Sequence, residues 1–136
     1  MAVFNKFNSF VEAVAEKVHD LGADQLTLAL TNTAPVAGNT VLANITEITY
    51  TNLSTRNITR TSSSQTAGLY RLIVADLTLT STGGSTGPFR YVVVYNSTAA
   101  GGPLIGWYDY GTALTLNSGE SLSVDFDQVN GLLTLQ

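Results

Sequence analysis

One histidine, His19, is the only imidazole in the 136 residues, and there is no cysteine. Any Ser–His–Asp relay would have to run through His19. It sits next to Asp20 on the polar arc of a predicted helix, where a solvated surface histidine is the expected reading. Asp125 and Asp127 are two apart, so on a strand they share a face and could offer oxygen to Ca²⁺. Two carboxylates beside a turn are more simply a solvated outer face. The ten acidic residues show no pattern of the kind a glycosidase needs across a cleft. No zinc spacing and no phosphate-binding glycine loop occurs; Gly83-Gly84 and Gly101-Gly102 read as loop tips. The chain therefore reads as non-enzymatic, without metal or other cofactor.

Aromatic side chains are the remaining candidates for recognition. Trp107, Tyr108 and Tyr110 form the densest group, and such rings serve interfaces or stack on sugars. Alternation puts Trp107 opposite Tyr108 and Tyr110, with Trp107 assigned to the core and the two tyrosines to a core rim or an interface. Phe4, Phe7 and Phe10 either pack a helix onto the core or form an apolar arm that docks on a partner.

These residues need elements to position them. Phe4, Phe7, Val11, Val14, Val18 and Leu21 follow helical spacing, and Ser9 with Glu12 has the form of a capping box. Gly22 is the expected stop. After it the period becomes two. Leu26, Leu28 and Leu30 predict a strand with one buried face. Thr40 to Tyr50 suits a short helix as well as a strand. Asn52 to Ala67 is polar, with an exposed strand expected around Asn57 to Thr61 and a mobile loop through Ser62 to Gln65. The run from Leu69 to Thr80 changes parity near Ala75–Asp76, which a bulge would reconcile. Phe89 to Tyr95 is apolar on both faces except Arg90 and belongs in the middle of a sheet. Leu104 to Tyr110, a strand begun by Leu114 and Leu116, and Leu122 to Phe126 follow. Asn130-Gly131 is a hairpin signal ahead of Leu132 to Leu135.

Eight or nine short strands predict a mainly β fold: an antiparallel β-sandwich or jelly-roll-like domain with one N-terminal α-helix. One domain is expected over 1–136, with an arm and helix over 1–22 and the sandwich over 23–136. Charged residues are only 12% and the net charge is −4. Scattered arginines and no basic run argue against a nucleic-acid or anionic-membrane partner. No signal peptide and no apolar run of membrane-spanning length is read, so folding in a cytoplasm is expected.

Several strings resemble small virion proteins of tailed bacteriophages of the head-decoration, or capsid-cement, type. They are Phe7-Asn8-Ser9-Phe10-Val11-Glu12, Leu30-Thr31-Asn32-Thr33-Ala34-Pro35, Gly87-Pro88-Phe89-Arg90-Tyr91-Val92-Val93 and Pro103-Leu104-Ile105-Gly106-Trp107-Tyr108-Asp109-Tyr110-Gly111. The closing Val124-Asp125-Phe126-Asp127 with Asn130-Gly131 also fits. The resemblance implies a protein made in the bacterial host cytoplasm and carried on the capsid surface. It implies the major capsid protein and further copies of itself as partners, a trimer above all, at three-fold or quasi-three-fold positions. A place in the tail or tail tip is the alternative within a phage. A carbohydrate-binding β-sandwich module using Trp107, Tyr108 and Tyr110 is the alternative outside it.

Overall fold

The computed structural model describes residues 2–136, and these are mainly β with one short helix. In chain order the elements are β1 (Phe4–Lys6), α1 (Ser9–Ala15), β2 (Leu26–Thr31), β3 (Arg60–Thr66), β4 (Leu69–Val74), β5 (Leu77–Thr80), β6 (Thr86–Asn96), β7 (Leu104–Leu116), β8 (Ser121–Val124) and β9 (Leu133–Leu135). All strand pairs are antiparallel. They form a four-stranded sheet ordered β1-β7-β6-β2, a three-stranded sheet β3-β4-β9 and a two-stranded sheet β5-β8. The arrangement is sandwich-like and is not a closed barrel.

Apolar side chains from all three sheets meet in one core. Leu28, Leu30, Val92, Val94 and Ile105 come from the large sheet, Leu72 and Val74 from β4, and Leu79 and Val124 from β5 and β8. The large sheet is covered on its other face too. Ala29, Val93, Tyr95 and Leu104 pack there beneath Phe7, Leu42 and Ile45. β2 is therefore buried at every residue, on both faces rather than the one its alternation suggested. β6 lies between β2 and β7, the central place its two-sided apolar pattern required.

Several local expectations are corrected. The helix is seven residues long and begins without a side-chain cap, so Ser9 and Glu12 do not form a capping box. It ends well before Gly22. The Val18 amide bonds the Ala13 carbonyl and the Lys17 amide the Val14 carbonyl, with Lys17 at φ 65°. This is the Schellman closure, with lysine at the left-handed position that glycine usually takes. Thr40 to Tyr50 holds one 3₁₀ turn, Leu42–Asn44, and otherwise irregular chain. Ser62 to Gln65, expected as a loop, is the middle of β3. The parity change at Ala75–Asp76 is not a bulge in one strand: β4 and β5 belong to different sheets, and the chain crosses there. β7 runs unbroken through Gly111 to Leu116. Asn130-Gly131 turns the chain without making a hairpin, because β8 pairs with β5 and β9 with β4.

Candidate functional site

The N-terminal arm docks on its own chain. Phe4 pairs with Tyr108 and Lys6 with Gly106 in the β1–β7 ladder. Gly106 is required there, since a Cβ would meet the Phe4 ring and lie 2.6 Å from the Asn5 carbonyl oxygen. The Phe7 amide then bonds the Ile105 carbonyl, and the Phe7 ring seats 4.5 Å from Trp107, centroid to centroid. Phe10 lies 5.3 Å from the His19 ring. Phe7, Phe10 and Tyr108 are buried, so of the two alternatives left open for these rings, packing on the core is the one seen: their apolar area is consumed inside the monomer. Phe4 and Tyr110 are half-buried beside them. Trp107 is half-buried on the opposite face, so the three aromatic residues of this strand do not form one platform.

The Asp125/Asp127 pair is also reassigned. Both residues follow the end of β8. Asp127 Oδ1 accepts the amides of Val129 and Asn130 at 2.8 Å each, and Oδ2 accepts the Asn130 side chain at 2.9 Å. The Asn130 and Val129 bonds hold its carboxyl below the usual carboxylate range. Asp127 thus closes the turn that precedes β9. Among the described residues no group of three or more His, Asp or Glu side chains converges as a metal site would require.

His19 is the largest departure from expectation. It lies beyond α1 and is buried, not solvated. Asn96 Nδ2 lies 3.1 Å from His19 Nδ1 and 2.6 Å from Asp24 Oδ2. Asn96 Oδ1 accepts the amides of Thr98 and Ala99, 3.0 Å each. Burial pushes the His19 pKa down, and the nearby Asp24 charge opposes this only in part. Asp24 is held low by the Asp20 amide and the Asn96 side chain. His19, Asp24, Lys17, Ser63 and Tyr70 line one open hollow of about 570 Å³. A serine, a histidine and an aspartate thus come together, but not in relay order. Ser63 Oγ is bonded to the Tyr70 hydroxyl at 2.7 Å, and Asn96 stands between His19 and Asp24.

A largely apolar concavity is one that sequence reasoning did not find. A groove of about 560 Å³ runs between α1, β1 and β9, lined by Phe4, Phe10, Val11, Val14, Leu133 and Leu135 among others. Among the described residues β1 pairs only with β7 and β9 only with β4, so each offers an unpaired strand edge at this end of the molecule. Val11 on α1 is 55% exposed, and Val3 just before β1 is 74% exposed. The helical spacing of Val11 and Val14 was a signal for this surface, but it reads equally well as a buried stripe.

No family model matches the chain, and neither a characterised protein nor a solved structure matches it.

Proposed function

We propose that this chain is a structural protein of a tailed-phage particle, one that decorates the head and stabilises the shell as a homotrimer at three-fold or quasi-three-fold positions. The strongest structural support is the apolar groove flanked by two unpaired strand edges. An extended segment of a neighbouring subunit laid there gains main-chain hydrogen bonds from an edge and apolar contact from Val11, Val14 and Leu135. The arrangement of His19, Ser63 and Asp24 offers no comparable support for turnover. A surface built from Thr, Ser and Asn, with few charges, suits close packing among like subunits. Symmetry repeats each modest contact three times, and the linked contacts gain from effective concentration.

Val11→Asp places a charge in the groove without emptying the core. Monomer stability should change by less than about 0.5 kcal/mol. Co-sedimentation with undecorated heads is expected to fall to background, and light scattering should report loss of the trimer. Wild-type binding by this variant removes the groove from the interface. Purified virions that never contain the polypeptide sink the virion reading itself, and decoration of the tail in electron micrographs moves it to the alternative place.

A further inference from the structure

The segment between α1 and β2 is fastened to the end of β6 by three polar side chains brought together over long sequence distances. Asn96 lies 77 positions from His19 and 72 from Asp24. Its carbonyl oxygen is occupied by two backbone amides, Thr98 and Ala99, so the side chain cannot flip without losing both. Its NH₂ group must therefore face His19 Nδ1 and the Asp24 carboxylate, donating one hydrogen to each. That assigns the histidine: Nδ1 is the acceptor and the ring proton is on Nε2. The Nε2 atom is buried and has no hydrogen-bond partner among the described residues.

We propose that His19 is an acid-sensitive latch, which holds the end of α1 and residues 16–24 on the sandwich while neutral and releases them when it takes a second proton. A proton on Nδ1 would point an N–H at the NH₂ of Asn96, and two donors cannot bond each other. Phe10, packed on the ring, offers no acceptor for the new charge. The charged and titratable groups around the ring are Asp24 beside it, Asp20 and Lys17 in its own segment, Tyr70 from β4, and Arg60 of β3, whose Nη1 bonds the Asp24 carbonyl. Asp24 is the one anion within direct influence, and it is already bonded to the Asp20 amide and to Asn96. A protonated ring that turns to Asp24 must displace Asn96, which also undoes the joint. The pH direction follows. The closed form favours neutral His19, whereas the opened form binds a proton with ordinary imidazole affinity, near 6.5. Closure is therefore at full strength above about pH 6.5 and weakens as pH falls below it. The free apolar groove sits against the same helix, so opening would change that surface as well.

The test follows hydrogen exchange of the α1 and 16–24 amides from pH 7.5 to 5, corrected for intrinsic rates, together with ¹⁵N NMR of the histidine ring. The ring should be the Nε2–H tautomer at pH 7.5. The opening constant should rise tenfold for each unit by which the closed-state pKa lies below the open-state one. His19→Gln keeps an acceptor for Asn96 but does not titrate, and should flatten the rise. An Nδ1–H tautomer at pH 7.5, or the same pH profile in both proteins, overturns the proposal. Should the variant fail to fold, the wild-type titration decides. The Asn96 side-chain amide signals must shift with the same midpoint as His19, and their independence overturns it.

Discussion

At its β2 edge the four-stranded sheet meets residues 47–58, whereas at its β1 edge it meets an open groove. Along β2, the Leu28 amide bonds the Arg56 carbonyl, Ile58 bonds Leu26, and Ile48 bonds Leu30. The Leu30 amide is taken by the Tyr50 hydroxyl at 2.9 Å. That hydroxyl donates to Glu47 at 2.7 Å, and the Arg56 guanidinium lies 3.7 Å over the Tyr50 ring while reaching the Leu28 carbonyl. Burial pushes the Tyr50 hydroxyl far above its ordinary pKa, so it remains a donor at any ordinary pH. A segment with no regular strand thus takes up most of the hydrogen-bonding groups of a strand edge. At the other end β1 and β9 contribute three residues each and leave their outer edges unpaired. Edge groups are costly to leave dry and hazardous to leave open. One edge is sealed from within, and the other is the natural place for a neighbour.

The largest test of this contrast removes the arm. Gly106→Val drives a side chain into the Phe4 ring and the Asn5 backbone, and should lower stability by about 3 kcal/mol in urea denaturation. Exchange protection should be lost first over β1 and α1. Uniform loss across the sandwich would mean the arm is not a separable cover. Next is Tyr50→Phe, which strands the Leu30 amide at the sealed edge and should cost about 1–2 kcal/mol by the same measurement. A neutral result would show that the irregular segment seals β2 without its tyrosine. The smallest effect has the opposite sign. Lys17→Gly relieves the left-handed residue that closes α1 and should raise stability by about 0.5–1 kcal/mol, read as a higher Tm.

Much of the architecture was legible. The switch from helical to two-residue spacing after Gly22 and the two-sided apolar run at Val92, Val93 and Val94 reported their environments directly, because side-chain direction in a strand alternates whatever its partner. Boundaries were less so: a lysine in the left-handed position ended α1 where no glycine marked a stop. The candidate sites were barely legible. Phe7, Phe10 and Tyr108 look the same in sequence whether they cover a neighbour or their own sheet. His19 looked solvated because its polar surroundings, Asn96 and Asp24, are far away in the chain.

Residue order alone settled the class of fold: alternation, turn residues and the absence of cysteine required a β core held by burial, with one helix ahead of it. Tertiary structure alone decided which edge is sealed, that β4 and β5 part company at Ala75–Asp76, and that a lone histidine becomes a buried acceptor. The physical reason is range. Periodicity is a property of neighbours along the chain, whereas burial, hydrogen-bond pairing and protonation depend on groups that only folding brings within a few ångströms.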